Sequence, residues 1–191
     1  MNIAVYGGTF DPPTVAHKAI IEKLAEQELF DEVWVMPSAD RVDKPHMSPF
    51  IHRHKMVQAM AAEMVTHKVV VSEFEANLGT PTQTIRTYES LQNTYPSNTF
   101  WFVFGSDSYG DMHNWEGGKN LRKTMNVCVI PRIGYRTPHA TDKRVVLPVV
   151  AAVEHQTSST KVRELCHLHK DIGSEVVTSV KKYIQQHALY I

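Results

Sequence analysis

The first seventeen residues, MNIAVYGGTFDPPTVAH, limit what this chain can fold into more than any other stretch. An apolar run, Ile3-Ala4-Val5-Tyr6, meets Gly7 and Gly8. A turn follows through Thr9-Phe10-Asp11-Pro12-Pro13, and an amphipathic segment opens at Thr14. The order is strand, tight loop, helix start. Glycines let a backbone approach a ligand closely. A helix start offers unpaired N–H groups and the positive end of a dipole, which together suit phosphate. His17 falls in the first turn of that helix and faces the same place. These residues alone leave two readings, a plain strand-to-helix turn or a nucleotide phosphate site. Neither G-x-x-x-x-G-K-[ST] nor G-x-G-x-x-G follows the strand, so it is neither a Walker loop nor a dinucleotide fingerprint.

Strand patterns then alternate with helical ones. Strands are predicted at 2–6, 32–36, 68–72, 99–104, 125–130 and 144–148. Helices are predicted at 14–29, 49–64, 82–95, briefly after Trp115, and at 158–169 and 174–187. The alternation predicts an α/β fold: a Rossmann-like, doubly wound parallel sheet with helices on both faces, in a single domain over residues 1–191. Residues 99–104 are almost wholly apolar, as a central strand covered on both faces should be. Met56, Met60 and Met64 recur every four residues and read as core filler. Thr80-Pro81-Thr82 reads as the capped start of the third long helix. The polar stretch 38–48 is long enough for a functional loop.

Length and charge narrow the classes. The 191 residues suffice for one domain with a real core. Twenty basic residues balance twenty acidic ones, which points away from nucleic acid and from acidic membranes. No apolar run approaches a bilayer span, and the expectation is a soluble cytoplasmic protein. Cys128 and Cys166 lie far apart and suggest neither a disulfide framework nor a zinc site. Of the eleven histidines, His52 with His54 and His167 with His169 stand two apart on predicted helices. Such pairs do not share a face and read as solvated, so no metal site is expected.

In open parallel sheets, ligands bind outside the carboxyl ends of the strands. Gly7-Gly8, the 38–48 loop and Gly105-Ser106-Asp107 all fall there. Asp107 reads either as an acceptor for a ribose hydroxyl or as the cap of a turn. Near the other end, Thr157-Ser158-Ser159-Thr160-Lys161-Val162-Arg163 sets hydroxyls at a helix start, with an arginine further along. That string suits triphosphate oxygens, and equally a serine-rich N-cap.

The two motifs together are more specific. GGTFDP with a helix-start histidine resembles the N-terminal signature of the nucleotidylyltransferase superfamily, G-G-[ST]-F-D-P-x-H-x-G-H. Residues 157–163 resemble its I-S-S-T-x-[IV]-R motif. The resemblance runs end to end, and it is strongest to bacterial nicotinate-nucleotide adenylyltransferases. Residues 33–37, Lys44-Pro45-His46, Arg53 with Met56, and Pro81-Thr82-Gln83-Thr84 carry it. So do Gly105-Ser106-Asp107, Trp115, Arg132-Ile133-Gly134 and the closing run 184–190. Three departures stand out. Thr14 replaces the first histidine of the signature and Ala16 its glycine, and the 40–46 loop is more charged than usual.

The resemblance implies AMP transfer from ATP to nicotinate mononucleotide, with Mg²⁺ accompanying ATP. His17, with Thr14 beside it, would act at the α-phosphate. Gly7, Gly8, Thr9, Phe10, Gly105, Asp107, Arg132, Ser158, Ser159, Thr160 and Arg163 would bind ATP. Lys44, Thr84 and Trp115 would bind the acceptor. Apart from the family match, Trp115 reads equally as a core or helix-start tryptophan. Nicotinamide mononucleotide is the alternative acceptor. A sister transferase acting on phosphopantetheine or a glycerol phosphate, or a non-catalytic nucleotide-binding regulator, are the rival readings. A homo-oligomer is compatible with all of them.

Overall fold

Among the described residues, six parallel strands form one sheet in the order β3-β2-β1-β4-β5-β6. They are β1 (Asn2–Gly8), β2 (Glu32–Pro37), β3 (Val69–Val71), β4 (Thr99–Gly105), β5 (Asn126–Ile130) and β6 (Val145–Val146). The helices are α1 (Val15–Ala25), α2 (Phe50–Ala61), α3 (Phe74–Asn77), α4 (Thr84–Thr94), α5 (Ser106–Asp111), α6 (Gly118–Thr124), α7 (Ser159–His167) and α8 (Thr178–Gln186). A 3₁₀ turn, Met112–Asn114, follows α5. This computed structural model describes residues 1–40, 46–79, 83–132, 134–135, 145–146 and 157–191.

Strand periodicity splits the apolar side chains into two cores. Ala4, Val33, Val35, Trp101, Val103 and Cys128 face one way, against Ile21 and Leu24 of α1, Met56 and Met60 of α2, Val162 of α7 and Val180 of α8. Ile3, Val5, Phe100, Phe102, Val127 and Val129 face the other way, against Leu91 of α4, Met112 and Leu121 of α6. The sheet is therefore covered on both sides, as its apolar central strand requires. The methionine stripe is core, as expected. Chain order reverses between β1 and β4, which makes their carboxyl ends the switch point where such sheets bind ligands.

Several boundaries differ from the sequence reading. Helix α1 ends at Ala25 and not at residue 29, because the chain must turn to place Phe30 in the core before β2 begins. Phe30 is buried and Leu29 exposed. Helix α2 stops at Ala61, and tight turns at Glu63 and Met64 still bury Met64. The short helix α3 lacks enough residues to show a period. Helix α4 starts at Thr84; the cap expected at residues 80–82 lies outside the described residues. Helix α5 begins directly after β4, a helix that the sequence reading, which placed a short helix only after Trp115, did not include. Helices α7 and α8 are each trimmed at both ends, and the sixth strand is described only at Val145–Val146.

The solvated-histidine reading also fails on α2. His54 is buried, stacks on Phe50 and lies 3.3 Å from Glu73. Burial is the main cause that lowers its pKa. His52 packs against Tyr183 and His187 of the α8 region. On α2 both histidines found protein surfaces to cover. His167 and His169 are exposed, as read.

Candidate active site

The turn between β1 and α1 is clamped from distant parts of the chain. Phe10 adopts a left-handed φ of +51°, and Asp11 is 5% exposed. Arg53, fully buried on α2, donates from Nη1 to the Thr9 carbonyl at 2.9 Å. Its other nitrogens reach the Ser48 carbonyl at 2.8 Å and Asp40 at 2.9 Å. Arg163 donates to the Asp11 carbonyl at 2.6 Å, and the Ser159 hydroxyl to the Pro12 carbonyl at 2.8 Å. The Asp11 carboxylate accepts from the Ser48 amide at 3.2 Å and from the Tyr190 hydroxyl at 2.6 Å. The Val15 amide donates to the Glu175 carbonyl at 2.9 Å.

Thr14 caps α1 and orients His17. Its amide donates to His17 Nδ1 at 3.0 Å, and its hydroxyl lies 2.8 Å from the same nitrogen. An amide can only donate, so Nδ1 accepts and the ring proton sits on Nε2. The ring stands edge-on to Phe10 and beside Tyr6. Burial, and then the charge of Arg132, hold its pKa down at about 4. His17 is thus a neutral imidazole at neutral pH, with Nε2–H as its free donor. The Thr14 hydroxyl, read from the sequence as a second phosphate donor, is turned onto His17 in a side chain 1% exposed.

Opposite, Gly105 ends β4, and Ser106 and Asp107 open α5. Arg132 lies across Gly105, with Nη1 2.9 Å from Asp107 Oδ2. The Arg132 amide donates to the buried Ser106 hydroxyl at 2.9 Å. A Cβ on Gly105 would overlap Asp107 Oδ1 and lie 2.8 Å from Arg132 Nε, so the glycine is there for space. Asp107 makes no helix cap. Its Oδ1 is buried without a hydrogen-bond partner. One oxygen held by arginine and one left unpaired make an acceptor that a ligand hydroxyl can complete. The Arg132–Asp107 side chains are 60% and 25% exposed, so the pair does little for stability.

On the other face of the sheet, a cleft of about 190 Å³ is bordered by Gly8, Thr9, Ser38, Thr84 and Phe104. Ser38 Oγ is buried there without a partner. Helix α4 has no side-chain cap at Gln83; that side chain bonds Glu116 instead. Trp115 stands edge-on to Phe104, with ring centroids 5.4 Å apart. Gly117, at φ +65°, brings its turn against Ile85. Thr84 therefore lines the cleft, and Trp115 packs against one of its wall residues, Phe104.

The Ser158–Arg163 group lies against the β1–α1 turn, but its hydroxyls already have structural work. Ser158 accepts from the Lys161 amide at 3.2 Å as the N-cap of α7. Ser159 holds Pro12, and Thr160 accepts from Arg163 at 3.2 Å. Lys44 lies outside the described residues. A larger cavity of about 500 Å³ lies elsewhere, between Cys166, Ile172, Lys181, Ile184 and Leu189, and holds none of the expected site residues. Sequence reasoning missed Arg53, Ser106 and the Asp11–Tyr190 pair as parts of the site. Arg53 had two signals: it was among the residues that carry the resemblance, and it shares the apolar stripe of Met56, Val57 and Met60, where an arginine must find buried acceptors.

A doubly wound sheet that gathers a glycine turn, a neutral histidine and an unpaired carboxylate oxygen at its switch point defines a nucleotide-binding α/β domain. Residues 5–165 match the cytidylyltransferase-like family, and the chain belongs to that family. It is 26% identical to a probable nicotinate-nucleotide adenylyltransferase of Christiangramia forsetii, over 99% of this chain and 98% of that one. It is 29% identical to the similarly named protein of Myxococcus xanthus, over 100% and 95% of the two chains. Among solved structures, it resembles Plasmodium falciparum nicotinic acid mononucleotide adenylyltransferase complexed with NaAD. The TM-score is 0.83 and the identity 25%, with 99% of this chain and 97% of that one covered.

Proposed function

We propose that the protein transfers AMP from ATP to nicotinate mononucleotide, giving nicotinate adenine dinucleotide and pyrophosphate, a step in NAD biosynthesis. The observation that carries this reading is His17, a neutral imidazole whose Nε2–H stands as a fixed donor at the switch point. The full-length likeness to adenylyltransferases of that name supports the choice of acceptor.

In the reaction, an oxygen of the acceptor phosphate attacks the α-phosphorus of ATP. The bond from that phosphorus to the α–β bridging oxygen breaks, and pyrophosphate leaves. A phosphomonoester is largely dianionic at neutral pH, so no side chain need remove a proton. What remains is in-line placement and stabilisation of charge. His17 donates to the α-phosphoryl oxygen, and Thr14 positions it. Gly7, Gly8, Thr9 and Phe10 bring backbone to the phosphates. Ser158, Ser159, Thr160 and Arg163 serve the β- and γ-phosphates, where Ser158 and Thr160 keep their hydroxyl protons to donate. Asp107 Oδ1 takes a ribose hydroxyl above Gly105, beside Arg132. Trp115 offers its indole face to the pyridine ring. The uncapped start of α4 at Thr84 favours a carboxylate over an amide. Lys44 is assigned to the acceptor phosphate by resemblance.

Mg²⁺ enters as the counterion of ATP. Among the described residues no three His, Cys, Asp or Glu side chains are grouped to hold a metal of their own. The reading carries with it a soluble cytoplasmic enzyme whose partners are small nucleotides. The test is pyrophosphate release with ATP and Mg²⁺, comparing nicotinate and nicotinamide mononucleotides. Faster turnover with nicotinate is expected. A preference for nicotinamide mononucleotide overturns the acceptor, and no release with either overturns the reaction.

A further inference from the structure

The chain's penultimate residue reaches the phosphate turn, and it does so from strained backbone. Helix α8 ends in a Schellman arrangement: the Leu189 amide donates to the Ile184 carbonyl at 3.1 Å and the Ala188 amide to the Gln185 carbonyl at 3.4 Å. The left-handed residue of that motif is Ala188, at φ +48°, where glycine is usual. Two residues on, Tyr190 is left-handed as well, at φ +65°. A tyrosine resists that conformation, so it persists only where surrounding contacts over-determine it. The contact in question is the 2.6 Å hydrogen bond from the Tyr190 hydroxyl to Asp11 Oδ1.

Asp11 is the hub of the turn. Its other carboxylate oxygen accepts from the Ser48 amide, and its carbonyl from Arg163. Three residues beyond it, Thr14 holds His17 in its tautomer. Without the tyrosine hydroxyl, Asp11 Oδ1 would be left in a buried site with no other side-chain donor described for it, and the carboxylate would turn to find one. The turn would follow. We infer that Tyr190 is a positioning residue for the transfer reaction: its hydroxyl fixes Asp11, and through Asp11 the turn that aims His17 at the α-phosphate. The inference rests on the function proposed above for that turn. It acts on the geometry of the transition state more than on the affinity for either substrate, because Tyr190 hydrogen-bonds the back of the turn.

The test pairs Tyr190→Phe, which removes only the hydroxyl, with Asp11→Asn and the double variant. Two readouts are taken in the full chain: steady-state pyrophosphate release, and amide hydrogen exchange across residues 8–17. Tyr190→Phe should lower kcat at least 10-fold while KM for ATP and for the acceptor stays within about threefold. It should also speed exchange in the turn about 10-fold. In the Asp11→Asn background the same change should add less than twofold to either effect. Tyr183→Phe is the control; it removes a nearby hydroxyl that bonds His52 at 3.1 Å and should change neither readout beyond twofold. The inference is overturned by a Tyr190→Phe enzyme with wild-type kcat and exchange. It is equally overturned by effects that multiply independently with Asp11→Asn, or by an equal response in Tyr183→Phe. If the wild-type chain releases no pyrophosphate, the proposed function fails alone, and exchange in the turn still decides the role of Tyr190.

Discussion

A histidine whose Nδ1 is blocked by a backbone amide can do one thing well, which is to donate from Nε2. That constraint makes His17 a fixed electrostatic group with no role as a proton shuttle. His17→Ala should reduce kcat by roughly 10²–10³, the range for loss of one preorganised donor, with smaller changes in KM. Steady-state kinetics with both substrates would check it. The depressed pKa makes a second statement. Between about 6.5 and about 4, unfolded chain takes up a proton that the folded His17 refuses. Stability from this group is therefore complete above pH 6.5 and is lost as pH falls toward 4, by up to about 3 kcal/mol. Denaturant unfolding at pH 7 and pH 5 should show a steeper loss in wild type than in His17→Gln. The histidine's position was legible in the sequence, because its helix-start spacing is local. Its charge was not, because burial, and after it Arg132, depend on the fold; its tautomer was not, because it follows from the exact placement of the Thr14 amide.

Elements explain which expectations held. The sheet and its long helices were readable because each carries its own period, and the central strand announced itself by having no polar face. Helices α3 and α5 carried too few turns to show one, and α1 was overextended because Leu29 continued the pattern that Phe30 actually ends. The same limit hid the acceptor side. Trp115 alone looked as much like core as like a binding residue. The left-handed Gly117 and the Gln83–Glu116 contact are what bring its turn to the start of α4. Trp115→Ala should raise KM for the acceptor several-fold and leave KM for ATP within about twofold. Equal increases for both substrates would make it a packing residue of Phe104 and nothing more.

At the scale of the whole molecule, the site is a meeting of chain segments more than a loop on a scaffold. Residues of α2, α7 and the C-terminal turn all bond the six residues between β1 and α1. Arg53 shows the dependence most directly, since its guanidinium is fully buried among three acceptors. Arg53→Met leaves those acceptors without their partner, and truncating one side of such a buried network costs about 3–5 kcal/mol. For a chain of this size that is a fall in Tm on the order of 10 °C, measurable by calorimetry, together with loss of activity.

These clamps also bear on how the enzyme comes into being during translation. The β1–α1 turn lies within the first seventeen residues, yet the groups that shape it sit at positions 53, 159, 163 and 190. A ribosome-bound chain can pair β1 with β2 early, but it holds a slack turn until α7 and α8 have emerged and docked. Contacts of such long sequence separation form late. On the function proposed above, the nascent chain engages ATP productively only once the residues through Tyr190 have emerged and docked on the turn.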